Sequence, residues 1–404
     1  MSIILNQGQQ YVCDQIVDWY KNSSGTLVNI IGAAGTGKSV VLNAILERLN
    51  LRDDQVLCMA YTGQAAIVMR TKGMPSACTC HSGLFVAHKE VVFDQDGIPV
   101  IDKKFNVPLT RWTFYPKDLN LLGIKLIIID EAWTVPKSFR KYIDATGIKV
   151  IAAGDSAQLP PVKDDPAYLV DGPIFQLTEL MRQSANSPLI YLANRAKAGL
   201  PIDYGVYGNS VIVISKEELN NEIIRNSSIV LCGRNSTRET INARVREEIL
   251  HQFRDFPMVG ERLICRKNNW DKTIDGISLC NGLTGTVLSP PDIGVFDGET
   301  FKLDFLPDLL NVPFVSLDVN YKYINAKSVS DREVIKKSRW TRGELFEYAY
   351  ASTVHLSQGS EYVNGIYIEE PIGGGIQNNL NYTAITRFKH QMIYVKTTPK
   401  YWRI

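Results

Sequence analysis

A chain of 404 residues exceeds one ordinary core, so two or three domains are expected. Its 45% hydrophobic and 21% charged content excludes a disordered or fibrous protein. A formal net charge of +2 excludes one that coats nucleic acid by charge alone; any such partner would be held in a local groove by stacking and a few phosphate contacts.

The seven cysteines are odd in number and scattered, which reads as reduced thiols in a cytosolic protein, not a disulfide framework. Cys78, Cys80 and His81 invite a zinc reading, but no second ligand pair follows at finger spacing, and no metal but Mg²⁺ is expected. No apolar run approaches membrane-spanning length, so no membrane partner is expected.

In chain order, Thr26–Ile31, Val56–Ala60, Leu126–Ile129, Val150–Ala153 and Ile174–Leu177 are short, apolar and bounded by turn residues, and predict buried strands. Val40–Leu49 and Gln64–Arg70 between them have helical spacing. This alternation predicts βαβ units on a parallel sheet. It is broken around Asp96-Gly97, where strand periodicity flanks a hairpin signal that includes Phe93. A second α/β region is expected from Ile174, with strands at Ser228–Cys232, Gly365–Ile368 and Met392–Lys396. The proline-punctuated stretch Val287–Lys337 suits a small β barrel better than helices. The predicted fold class is α/β, with two lobes on parallel sheets, each carrying a β-rich insertion. Residues 1–83 and 113–173 would form the first lobe and 84–112 its inserted hairpin. Residues 174–286 and 343–404 would form the second lobe, and 287–342 its inserted barrel.

The run Gly32-Ala33-Ala34-Gly35-Thr36-Gly37-Lys38-Ser39 matches G-x-x-x-x-G-K-[ST] after a strand and before a helix. Its glycines let successive N–H groups face phosphates, Lys38 reaches the β- and γ-phosphates of ATP, and the Ser39 hydroxyl ligates Mg²⁺. Leu126–Ile129 runs into Asp130 and Glu131. Asp130 is placed to hold the Mg²⁺ shell and Glu131 to polarise the attacking water.

Gly154-Asp155-Ser156-Ala157-Gln158-Leu159-Pro160-Pro161-Val162 resembles the GDxxQLPPV motif of superfamily 1 helicases. Similar matches run through Leu177–Gln183, Ser352–Glu361 and Tyr382–Arg387, and Leu5–Gln9 resembles the adenine-reading segment of the RecD/Dda branch, superfamily 1B. In size the chain is most similar to compact phage Dda-type helicases. The resemblance implies two RecA-like lobes with ATP in the cleft between them. Arg182 and Arg387 would then stabilise charge on the transferred phosphoryl group, Gln158 would sense the γ-phosphate, Gln9 would pair with adenine, and Glu361 would accept from ribose.

The same resemblance implies a single-strand track. Thr62, Thr79 and His81 match its first-lobe positions, and Asn235, Thr353 and His355 its second-lobe positions. The hairpin would act as a pin where duplex strands part, with Phe93 stacking on a base at the fork. Expected partners are single-stranded DNA, forked or tailed duplex and a single-strand-binding protein, met by a monomer in a bacterial or phage-infected cytoplasm. The 5′-to-3′ polarity comes from the resemblance alone. An RNA-directed or remodelling translocase and a non-motor nucleotide switch remain open. Four residues depart from the pattern: Tyr61 for a common proline, Trp133 for a small residue, Leu356 for a frequent lysine and Phe388 for a small residue. None touches phosphate chemistry.

Overall fold

The computed structural model describes residues 5–102, 106–162, 164–179, 187–292, 294, 296–338, 340–373 and 375–397. Arg182 lies outside the described residues.

The first region opens with α1 (Gln7–Asn22), β1 (Leu27–Gly32), α2 (Lys38–Leu49), β2 (Val56–Ala60), α3 (Gly63–Thr71), β3 (Cys78–Thr79) and α4 (Cys80–Leu84). The chain then leaves the sheet as β4 (Phe85–Val91), β5 (Ile101–Asp102), β6 (Val107–Pro108) and β7 (Thr110–Pro116). It returns with β8 (Leu126–Asp130), α5 (Lys137–Asp144), β9 (Lys149–Gly154) and β10 (Ile174–Leu177). The six strands stand in the order β10-β1-β9-β8-β2-β3, and every pair is parallel. Every residue of β8 is buried because helices cover both faces of the sheet. Leu126 and Ile128 join Ile16 of α1 and Val41 of α2 on one face, while Ile127 and Ile129 join Ile143 of α5 on the other.

The second region begins with α6 (Pro188–Lys197), β11 (Gly205–Tyr207), β12 (Val211–Ser215), α7 (Asn221–Arg225), β13 (Val230–Cys232) and α8 (Asn235–Arg244). An excursion follows: β14 (Arg262–Cys265), β15 (Asn269–Ile274), β16 (Ile277–Leu279), β17 (Thr284–Val287), β18 (Thr300–Pro307) and β19 (Phe314–Asn320). It continues through α9 (Tyr321–Ile324), α10 (Val329–Lys337) and β20 (Phe346–Tyr348). The chain then closes its second sheet with β21 (Ala351–Thr353), β22 (Tyr362–Glu369), α11 (Gln377–Ile385) and β23 (Phe388–Lys396). That sheet runs β11-β12-β23-β22-β13-β21, parallel except at β11.

Three expectations are corrected. Ile174–Leu177 does not open the second region and is not fully buried: it is the edge of the first sheet beside β1, with Ile174 49% exposed. An edge strand has one neighbour, so its outer flank meets solvent. The excursion is barrel-like, with its edges meeting at the Val319–Glu344 bridge, but its bounds differ: its five antiparallel strands, β19-β18-β17-β14-β20, recruit β14 and β20 from outside residues 287–342. Its stretch 329–337 is a helix, because Ser328 caps it, Asp331 sits in its first turn, and no β alternation follows. The predicted turn at Asp96-Gly97 exists, with the Asp94 carboxylate accepting from Asp96 and Ile98 N–H and Gly97 at φ +76°. The long arm beneath it is β4 paired with β7, however, and runs to Pro116, past residue 112.

The arm is braced by the β15–β16 hairpin. Trp270 packs on His81 and Phe114 at ring separations of 5.8 and 5.6 Å, and Lys89 meets Asp271 at 3.2 Å.

Candidate functional site

Parallel strands bring their carboxyl ends to one sheet edge, and the neighbours β1, β9 and β8 end there in Gly32, Gly154 and Asp130. A cavity of about 360 Å³ opens at that edge. Lys38, Ser39, Asp130, Glu131 and Gln158 line it from the first lobe, and Glu361, Thr386 and Arg387 from the second.

The loop into α2 needs its glycines: Gly35 and Gly37 stand at φ +87° and +83°, where a Cβ is strained. Gly37 is the N-cap of α2, so the first N–H groups of α2 have no side-chain cap, and Gly37, Lys38 and Ser39 line the cavity. Lys38 Nζ donates to Gly32 O at 2.7 Å, and the Thr36 hydroxyl donates to Ala33 O at 2.9 Å. Gln9 lies behind this loop, 1% exposed, with Nε2 donating to Thr36 O at 3.1 Å and Oε1 accepting from Asn6 N–H at 3.1 Å. Both ends of its amide are thus engaged within the chain. Ala33, Ala34 and Gly35 also border a second cavity of about 400 Å³, with Glu361, Tyr382 and Thr386.

Asp130 is buried, and burial, followed by the neighbouring Glu131 charge, raises its carboxyl above the ordinary carboxylate range; Lys38 opposes the shift. Glu131 takes φ +49°, an unusual left-handed conformation for a carboxylate residue, and turns the chain at the strand tip. Gln158 is buried, and its Oε1 has no hydrogen-bond partner among the described residues. Trp133, a departure from the motif pattern, donates its indole N–H to Gln158 O at 3.0 Å and pins that loop. A phosphate loop and a buried carboxylate beside it suit a nucleoside triphosphate with a divalent cation.

The two lobes are stitched at the loop 155–159. The Tyr382 hydroxyl donates to Asp155 at 2.5 Å, Leu159 N–H donates to the Thr383 hydroxyl at 2.9 Å, and Gln358 Nε2 donates to Leu159 O at 2.8 Å. Arg387 is 3% exposed and donates to Ser360 O and Thr383 O, each at 3.3 Å, while its Nη1 stands 4.0 Å from Glu131 Oε1. Glu361 pairs with Lys72 at 3.2 Å and Lys389 at 2.8 Å.

The strand-contact candidates occupy equivalent places on the two sheets. β2 and β3 are paired at Ala60–Thr79 on the edge of the first sheet, and β13 and β21 at Cys232–Thr353 on the edge of the second. Thr62 and Asn235 begin the helices that follow β2 and β13. Thr62 and Thr79 are N-caps whose hydroxyls accept from Ala65 and Ser82 N–H. His81 sits among Tyr61, Phe85, Phe114, Phe139 and Trp270, and burial lowers its pKa and that of His355. Both imidazoles therefore favour the neutral form and offer a donor without a charge. Phe93 is 57% exposed beside the Asp96-Gly97 turn.

Sequence reasoning missed Asn43 and Lys72, both of which line the cavity. Neither lies in a motif-length pattern, and the only local signal is Gly73, at φ +101°, which follows Lys72 and is packed against Asn43.

A family described as an AAA domain matches residues 16–164. The ATP-dependent DNA helicase RRM3 of Saccharomyces cerevisiae is 28% identical over 366 residues, which is 83% of this chain and 47% of that protein. The ATP-dependent DNA helicase PIF6 of Trypanosoma brucei brucei is 30% identical over 166 residues, 38% of this chain and 19% of that protein. The chain spans less than half the length of these curated relatives. The crystal structure of a Bacteroides Pif1 helicase with ADP-AlF3 and ssDNA superposes with a TM-score of 0.58 at 18% identity, covering 100% of this chain and 95% of that one. The Candida albicans Pif1 helicase gives 0.51 at 17% identity, covering 99% and 96%. At such identity the likeness establishes the fold, the Pif1-type arrangement of RecA-like lobes with β-rich additions. No described helix is long and apolar enough to cross a membrane.

Proposed function

We propose that this chain, which has the fold and motif order of the Pif1/RecD-like helicases of superfamily 1B, is an ATP-dependent DNA helicase. It translocates on single-stranded DNA from 5′ to 3′ and separates duplex strands. The observation that carries the reading is Arg387: a buried guanidinium from the second lobe stands 4.0 Å from Glu131 across the cavity that the phosphate loop borders. A cavity completed by the far lobe ties nucleotide chemistry to lobe closure, which a one-lobe nucleotide switch does not need.

In this reading the loop N–H groups and Lys38 balance the charge of the phosphates. Ser39 and Asp130 would hold Mg²⁺, which would supply charge neutralisation at the phosphoryl oxygens. Glu131 accepts the proton of the attacking water, Gln158 donates its amide toward the γ-phosphate, and Arg387 and Arg182 neutralise charge on the transferred group. Gln9 has its amide committed to the loop, so it acts on adenine through the loop's position or by exchanging those bonds. Thr62, Thr79 and His81 on one lobe, and Asn235, Thr353 and His355 on the other, hold phosphates of the strand. If each lobe grips in turn as the cleft opens and closes, the strand advances. Phe93 is exposed near the tip of a braced arm, which supports a pin role at the fork. The finer likeness to phage Dda-type helicases, the monomeric state, a single-strand-binding partner and a cytoplasmic or phage-infected setting are parts of the same proposal.

Partial duplexes with 5′ or 3′ tails, in DNA and in RNA, test it. Unwinding is expected from 5′-tailed DNA. Unwinding only from 3′ tails would refute the polarity, and ATPase activity indifferent to single strands would refute the motor.

A further inference from the structure

The helix α3 borders the cavity, the five-stranded sheet and the second lobe. At its N-terminus the hydroxyl of Thr62, a strand-contact candidate, caps it at 3.2 Å from Ala65 N. Along its length Ala65 and Val68 line the nucleotide cavity, and Ile67 enters the core of the five-stranded sheet. Gly359 of the second lobe approaches so closely that a Cβ there would lie 2.7 Å from Ala65 Cβ.

At the C-terminus, Lys72 is the C-cap, and its place is built. Asn43 of α2 donates its Nδ2 to Lys72 O at 2.5 Å, and Gly73 at φ +101° allows the Asn43 amide to stand where a Cβ would be crowded. From this anchored backbone Lys72 reaches across the cleft to Glu361 at 3.2 Å, which Lys389 holds from its own lobe at 2.8 Å. Lys72 and Glu361 are 27% and 20% exposed in their side chains, so the pair is less screened than a surface one. The same three residues border a larger cavity of about 620 Å³ between α3, the second lobe and the five-stranded sheet, so the bridge is the wall between two cavities.

We propose that Lys72 is a positioning residue of the nucleotide cleft, which through Glu361 makes nucleotide affinity depend on strand contact at the opposite end of α3. This rests on the helicase reading. A displacement of α3 by phosphates held at Thr62 moves Lys72 relative to Glu361, and Glu361 faces the nucleotide cavity. By reciprocity, nucleotide must change strand affinity by the same factor.

The test measures binding of a fluorescent ADP analogue with and without saturating oligothymidine, in the full chain and in Lys72→Met and Lys72→Arg. The wild-type ratio of affinities is expected to be roughly fivefold or more, the usual scale of such coupling. Lys72→Met brings the ratio near one and Lys72→Arg restores it, and the reciprocal titration of oligothymidine gives the same factor. In steady state the defect of Lys72→Met falls on the strand dependence of KM for ATP. A Lys72→Met chain that keeps the wild-type ratio, or whose defect lies in kcat alone, overturns the proposal and leaves the helicase reading standing. A wild-type chain that binds no oligothymidine overturns both.

Discussion

Arg387→Ala separates catalysis from architecture. In the fold, the guanidinium contributes two hydrogen bonds of 3.3 Å to carbonyls of its own lobe. Charge-assisted bonds contribute roughly 1.5–3 kcal/mol each at good geometry, and these are long, so truncation should cost about 2–3 kcal/mol of stability. An arginine that neutralises a phosphoryl group in flight is worth roughly 10³–10⁵ in kcat, which is about 4–7 kcal/mol at 1.36 kcal/mol per tenfold. The catalytic loss thus exceeds the structural one. Phosphate release at saturating ATP and oligothymidine should fall by at least about 10³-fold, while a thermal melt still shows one folded chain. Arg387→Lys keeps the charge but loses the planar fork, and should recover a part of the rate. A kcat within about tenfold of wild type in a folded Arg387→Ala chain would refute the assignment.

Lys38→Ala should abolish hydrolysis by removing charge compensation at the β- and γ-phosphates; turnover retained in a phosphate-release assay would sink the loop assignment. Glu131→Gln should bind Mg-ATP with near-wild-type affinity and hydrolyse it slowly. Loss of nucleotide binding in that variant would make Glu131 a structural residue of the left-handed turn. Asp130 gives a pH prediction. Burial and Glu131 raise its pKa above the unfolded value, so the folded chain holds that proton more tightly. The stability this contributes is full below the ordinary carboxylate range and is lost as pH rises through the raised value. Asp130→Asn removes that loss, so in Mg²⁺-free buffer its melting temperature should gain on wild type as pH goes from acid to neutral. Identical pH profiles for the two chains would contradict the account.

The conformation of the phosphate-loop segment was legible in one dimension. A phosphate loop is a local structure: its glycines, its lysine and the helix that follows are consecutive, so spacing alone specifies the geometry, and the structure has Gly35 and Gly37 in the left-handed region. The same holds for β8, whose continuous apolar run demands two covered faces. Strand membership was less legible. Ile174–Leu177 reads as a buried strand from composition, yet only the sheet order reveals it as an edge, because exposure depends on whether another strand arrives. The excursion in the second region likewise recruits β14 and β20, since antiparallel partners distant in sequence leave no local mark.

The residues alone specified a phosphate-loop pattern at Lys38 and Ser39, a strand that ends beside it in Asp130 and Glu131, and an order of motifs that resembles superfamily 1. They marked Arg387 only through its motif. Tertiary structure decided what stands opposite it: Glu131 at 4.0 Å, with Ser360 and Thr383 carbonyls holding the guanidinium in place. It also revealed Lys72, which no pattern marks. Its partner Glu361 is 289 positions away along the chain. A charge acts through distance in space, and that distance is set by how two sheets dock on α3, not by neighbours in the chain.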